Sequence, residues 1–188
     1  TTLTIADVHA VAAADASCTL DPAARDRVGA ARVRLGDHLA AGEAVYGVTT
    51  GYGEMIYMHV DRSQEVALQH NLVRSHSAGC GPLLSRTEAR AVMVARANAF
   101  AKGFSGVRPE VLERILAYLD LGITPAIPEY GSLGASGDLA PLSHLASALI
   151  GEGYVLDGEG RTPTADVLER TGTPAFSLQF KEGLALII

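Results

Sequence analysis

Apolar side chains recur at helical spacing over most of the chain, and the periodic stretches begin and end on recognisable signals. Thr4-Ile-Ala-Asp7 reads as an N-cap with an acid three residues on, which predicts a short alanine-rich helix. Asp21-Pro22 caps a second helix and places proline at its first position. Val28, Ala31, Leu35 and Leu39 then share one face up to the stop at Gly42. A third helix is expected over 63–77, ending at Gly79, and the capping box Ser85-Arg-Thr-Glu88 opens a fourth that runs to about Lys102. Pro109 begins the next, with Val111, Leu112, Ile115, Leu116 and Leu119 buried and Gly122 as its end. A further helix is expected from Asp138–Pro141 to Gly151. An extended pair follows at Tyr154–Leu156, turning at Asp157-Gly158, and then a short helix over Thr164–Arg170. Phe180–Ile188 is apolar and helix-like. The expected class is mainly α, with 1–188 as one domain.

Two stretches break the period. Residues 46–60 hold Gly47, Gly51 and Gly53, adjacent threonines and three tyrosines, which reads as a functional loop rather than a regular element. Three glycines at that spacing allow a lid that closes over substrate. They do not make a phosphate loop, because the Lys-Ser/Thr ending is missing. The second stretch, 130–141, follows Pro125 and Pro128 and contains Gly134-Ala135-Ser136-Gly137-Asp138. Ala-Ser-Gly is able to make its own electrophile. The Gly137 amide nitrogen attacks the Ala135 carbonyl, a five-membered ring closes, and loss of two waters leaves an exocyclic methylene from Ser136. Small neighbours favour that approach. Taken alone, a serine in a glycine loop is more often a turn residue.

Composition narrows the class further. Hydrophobic residues make up 48% and aromatics 5%, with 20 glycines, which suits closely packed helices with thin side chains. The net charge of −6 with no basic block argues against nucleic acid or an anionic membrane as partner. Cys18 and Cys80 form neither a metal spacing nor a disulfide framework, so a reducing, cytoplasmic setting is expected. His38, His59, His70, His76 and His144 show no ligand-type grouping, and no metal is expected.

Four runs, in order, resemble the aromatic amino-acid ammonia-lyases and aminomutases. They are Tyr46-Gly-Val-Thr-Thr-Gly-Tyr-Gly53, Leu68-Gln-His-Asn-Leu-Val-Arg-Ser-His-Ser-Ala-Gly79, Gly131-Ser-Leu-Gly-Ala-Ser-Gly-Asp-Leu-Ala-Pro141 and Lys181-Glu-Gly-Leu-Ala-Leu186. The resemblance implies the family's helical, fumarase/aspartase-like fold and a 4-methylidene-imidazol-5-one formed autocatalytically from Ala135, Ser136 and Gly137, without metal. It implies Tyr46 as the base that removes the β-proton, and a substrate neighbourhood containing His76, Asn71, Gly53 and Glu54. His76 is placed to meet a phenol hydroxyl, His144 is read as supporting structure, and Asp138 is expected to order the loop through backbone N–H groups. Gly53-Glu-Met-Ile-Tyr-Met58 and Ser75-His76 are most similar to tyrosine 2,3-aminomutases of bacterial natural-product pathways.

The implied reaction removes ammonia from L-tyrosine, as a tyrosine ammonia-lyase, or returns it at Cβ, as a tyrosine 2,3-aminomutase. One alternative is a histidine ammonia-lyase giving urocanate, and another is a non-catalytic subunit of a split assembly. Family members are much longer, so the chain reads as an N-terminal portion, inactive alone, that needs a C-terminal half or partner chain and assembles as a tetramer. An exposed apolar end with unpaired carbonyls is expected at Phe180–Ile188. Ile188 stands where the family carries an asparagine near the substrate amine, and isoleucine makes no such hydrogen bond.

Overall fold

The computed structural model describes residues 3–158 and 160–188. Eight α-helices carry the described residues: α1 Ile5–Ala13, α2 Pro22–Ala40, α3 Glu65–His76, α4 Arg86–Ala101, α5 Pro109–Asp120, α6 Leu139–Leu149, α7 Thr164–Thr171 and α8 Glu182–Ile187. Strands β1 Cys80–Leu83 and β2 Pro128–Tyr130 pair antiparallel, as do β3 Tyr154–Asp157 and β4 Gly160–Pro163. Both capping boxes form. Thr4 and Asp7 exchange bonds at the start of α1, and Ser85 and Glu88 do so at the start of α4. Asp21 accepts from the Ala24 N–H at 3.0 Å ahead of Pro22.

The core runs through α4, α5, α6 and α8, where Met93, Phe100, Leu112, Ile115, Leu145, Leu149 and Leu186 are all buried. Thin faces let these helices approach, and α6 is buried along most of its length. Arg90, buried on α4, donates to the carbonyls of Leu119 and Val11, and its guanidinium pairs with Asp15 at 3.0 Å. One charged side chain thus ties the ends of α1 and α5 to α4. In α5, Val111, Leu112, Ile115 and Leu119 are buried as expected, while Leu116 is half-buried. Tyr118 takes the inward place and donates to the Ala148 carbonyl at 2.9 Å, which satisfies its buried hydroxyl. Leu35 and Leu39 are likewise half-buried, whereas Val28 and Ala31 reach the core.

The expectation of an exposed apolar end is corrected. Leu184, Ala185, Leu186 and Ile187 are buried against α3 and α6, and only Ile188 is half exposed. Two of the carbonyls at this end have a side-chain partner. Arg96 donates to the carbonyl oxygens of Ile188 at 2.6 Å and Ala185 at 3.3 Å. At the other end of α8, the buried Glu182 carboxylate accepts from Arg108 at 2.7 and 2.8 Å and from the Gln179 N–H at 2.8 Å. The sequence reading missed this anchoring because both arginine partners are distant along the chain. None of the helices among the described residues is long and apolar enough to cross a membrane.

Candidate active site

Residues 46–60 form a lid-like loop that carries one irregular helical turn at Gly53–Tyr57 and a bridge between Thr50 and His59. Tyr46 is exposed, and its hydroxyl oxygen accepts from the Gly53 N–H at 3.0 Å. That bond joins two residues expected at the site and fixes the direction of the phenol. Tyr52 meets the Tyr46 ring edge-on, with centroids 6.1 Å apart. Burial pushes the Tyr52 phenol up to about 12, so it keeps its proton. Gly47, at φ +67°, sits where a Cβ would lie 2.4 Å from the Tyr52 ring and 2.6 Å from the Leu184 side chain. The loop's inner half is therefore closed against α8, and only glycine fits there. Glu54 lies on the exposed outer half.

His76 ends α3, half-buried. Its Nδ1 lies 2.9 Å from the Leu72 carbonyl and 3.0 Å from the Ser75 hydroxyl. The Ser75 hydroxyl itself donates to that same carbonyl at 3.0 Å. A carbonyl only accepts, so in the neutral ring Nδ1 carries the hydrogen and Nε2 presents a lone pair. This tautomer suits recognition of a donor such as a phenol O–H. Asn71 is exposed, with Arg74 3.5 Å from its side-chain oxygen.

The loop that includes Ala135, Ser136 and Gly137 leaves β2 and enters α6, with residues 131–138 exposed. Gly137 has φ +103°, a conformation that disfavours any side chain, and a Cβ there would meet the backbone of Ile188 at 3.7 Å. Ala135, Ser136 and a glycine in this conformation fit the proposed ring closure, since no Cβ hinders attack by the Gly137 nitrogen. The Asp138 side chain does not cap α6, although the residue's backbone carbonyl accepts from the Leu142 N–H. Its φ −95° and ψ 59° are not the extended geometry of a cap, and its carboxylate accepts from the Ser132 hydroxyl at 2.5 Å. The aspartate thus ties the two limbs of the loop together by a side-chain bond, which corrects the expectation of backbone N–H contacts.

His144 has a supporting place. Its Nε2 accepts from the Gly79 N–H at 3.2 Å, and burial followed by the Arg161 charge holds the ring below its ordinary pKa, keeping it neutral. Gly131, at the root of the loop, packs on Gly79, where a Cβ would lie 3.1 Å from the Gly79 Cα. The end of α3 and the root of the Ala-Ser-Gly loop are thereby held in one register. No hydrogen bond among the described residues joins Tyr46, His76 and Ser136 directly. Among the described residues there is also no cluster of His, Cys, Asp and Glu that would hold a metal.

Sequence reasoning passed over Gln69. It is fully buried on α3 and bonds the Gly47 carbonyl, the Tyr52 hydroxyl and the Leu184 N–H. The available signal was its position, three and four residues before the buried Leu72 and Val73 on the same helical face.

Comparison with known proteins identifies the family. Residues 3–188 match the family described as aromatic amino acid lyase. A MIO-dependent tyrosine 2,3-aminomutase of Streptomyces globisporus is 68% identical over 143 residues, covering 76% of this chain and 26% of that protein. A tyrosine ammonia-lyase of Cupriavidus metallidurans is 54% identical over 186 residues, covering 98% of this chain and 35% of that protein. The crystal structure of the tyrosine aminomutase from Streptomyces globisporus superposes with a TM-score of 0.94 at 55% identity, over 99% of this chain and 35% of that one. The chain therefore spans about a third of the length of these relatives. On the family match and on these identities over nearly the whole chain, it belongs to the aromatic amino acid lyase family, the MIO-dependent ammonia-lyases and aminomutases.

Proposed function

We propose that the protein carrying this chain acts on L-tyrosine, eliminating its amine and re-adding it at Cβ, with 4-coumarate as intermediate or by-product. The observation that carries the reading is His76, whose Nδ1 is committed to the Leu72 carbonyl so that Nε2 is left as an acceptor. Such a group meets the hydroxyl that tyrosine has and phenylalanine lacks, and a site built around that bond discriminates strongly against the analogue without it. The similarity to tyrosine-acting relatives supports the same choice.

The methylidene-imidazolone formed from Ala135, Ser136 and Gly137 would supply an electrophilic carbon for the substrate amine, which is otherwise a poor leaving group. Tyr46 takes the β-proton. The Gly53 N–H holds its hydroxyl oxygen from one side, which sets the phenol's aim. Gly53 and Glu54 lie on the outer half of the loop that closes the site, and Asn71 lies on α3 five residues before His76. In the elimination the Cα–N and Cβ–H bonds break, the Cα–Cβ double bond forms, and ammonia is released. Re-addition at Cβ returns a proton to Cα and gives β-tyrosine. The loop must exclude water and retain ammonia between the two halves. The Ile188 backbone lies near Gly137, and its side chain has no polar group for the substrate amine.

The test is turnover of tyrosine, histidine and phenylalanine by the complete protein, with 4-coumarate, urocanate, cinnamate and the β-amino acids separated by chromatography. Tyrosine products are expected, with preference moving toward phenylalanine in His76→Phe. Rapid urocanate formation with no tyrosine products would replace this reading by histidine ammonia-lyase. A chain lacking the two-water mass deficit at Ala135–Gly137 and inactive on all three would point to a non-catalytic subunit.

A further inference from the structure

Gln69 is fully buried, yet both of its amide N–H groups and its carbonyl oxygen are engaged. Nε2 donates to the Gly47 carbonyl at 3.1 Å and to the Tyr52 hydroxyl at 2.9 Å, and Oε1 accepts from the Leu184 N–H at 3.0 Å. The network fixes the orientation of the amide. Turned over, it would set Nε2 against the Leu184 N–H and Oε1 against the Gly47 carbonyl, pairing donor with donor and acceptor with acceptor. The three bonds join three separate pieces of the chain, namely the inner half of the 46–60 loop, helix α3 and helix α8.

The rest of that loop has little else to hold it. Met55, Tyr57 and Met58 are more than half exposed, and a cavity of about 330 Å³ opens behind Thr49, Ile56 and His59. The inner half is gripped instead, with Tyr52 and Leu184 closing on Gly47 and Tyr52 set edge-on to Tyr46. We propose that Gln69 is a positioning residue for the proton-abstracting loop: through Gly47 and Tyr52 it locks Tyr46 to α8, so that the base is held in register with the end of α8 beside Gly137. This rests on the assignment of Tyr46 as the base.

In the complete protein, Gln69→Met keeps the side-chain length and removes all three bonds. Hydrogen exchange in the peptide 44–58 is expected to accelerate about tenfold or more, with helical circular dichroism and the two-water mass deficit retained. With tyrosine, kcat is expected to fall about 100-fold, with a much smaller change in KM. The isotope effect from β-deuterated tyrosine is expected to rise as proton removal becomes limiting. A loop exchanging at the wild-type rate, or a kcat lost only in proportion to folded protein, overturns the proposal. If Gln69→Met does not fold, Tyr52→Phe decides. It deletes one loop bond and leaves those to Gly47 and Leu184, so faster exchange at 44–58 is expected and unchanged exchange is fatal. If the wild-type protein turns over no tyrosine, the substrate reading fails, and the exchange comparison still judges the lock.

Discussion

Gly183→Ala offers a sharp test of how α8 is seated. In an ordinary exposed helix the substitution stabilises by about 1 kcal/mol, because alanine is the better helix former. Gly183 also has an unremarkable backbone, so no conformational penalty opposes the change. The environment decides the sign. A Cβ at Gly183 would lie 2.7 Å from the Gln69 carbonyl oxygen, 3.0 Å from its Cβ and 3.1 Å from its carbonyl carbon. Two of these are backbone atoms inside α3 and cannot swing aside. Helix α8 must move off α3, and overpacking of this kind costs about 1–3 kcal/mol. The same movement stretches the bond from the Leu184 N–H to Gln69, and a buried donor left unpaired costs about 1–3 kcal/mol more. After the propensity gain, a net loss of about 2 kcal/mol is expected, a drop in Tm of about 4–8 °C for a domain of this size. Gly36→Ala in α2 is the matched control, since it has open space around it and an ordinary helical φ. That variant is expected to gain up to about 1 kcal/mol. Thermal melts followed by far-UV circular dichroism read both. Gly183→Ala melting at or above the wild-type temperature would refute the close seating of α8 on Gln69.

Glu182→Ala strips the buried partner from Arg108 and the acceptor from two backbone N–H groups, those of Arg108 and Gln179. Breaking such a pair costs about 3 kcal/mol, toward the low end because Arg108 is partly solvated, and a Tm lower by about 6 °C or more is expected. The acid side of the stability profile follows from His144 and His70. Burial, then the charges of Arg161 and Arg74 respectively, holds both rings below the ordinary value of 6.5. The unfolded chain thus binds more protons between those lowered values and 6.5, so stability is full above about pH 6.5 and declines as pH falls through that window. Each ring contributes a slope of up to about 1.4 kcal/mol per pH unit, and His144→Gln is expected to remove one of the two in denaturant titrations between pH 7 and 5. An unchanged slope would mean that His144 is not held neutral by its fold.

The parts of this fold legible in the sequence are those specified within a few residues. The Thr4–Asp7 and Ser85–Glu88 boxes close over three residues, and Asp157-Gly158 turns β3 back along the chain, so local spacing suffices. The β1–β2 pair was not legible. Cys80-Gly-Pro-Leu and Pro128-Glu-Tyr are too short to show alternation, and each contains a proline. The Tyr46 loop and the Ala-Ser-Gly loop stood out because clustered glycines break the helical period there. Their supports did not, and the reason lies in the type of bond used. Gln69 holds a carbonyl and an N–H, His144 holds the Gly79 N–H, and Arg96 holds the carbonyls at the end of α8. Apart from the Tyr52 hydroxyl that Gln69 also bonds, each partner is main chain, which every residue possesses, so no complementary side chain appears in the sequence to betray those pairs. Backbone bonds of this kind set loop position without restricting the residues that line the site. If Glu54 and His76 meet the substrate as proposed, substitutions there should change substrate choice while leaving the loops in place, whereas substitutions at Gln69 should disturb any substrate alike.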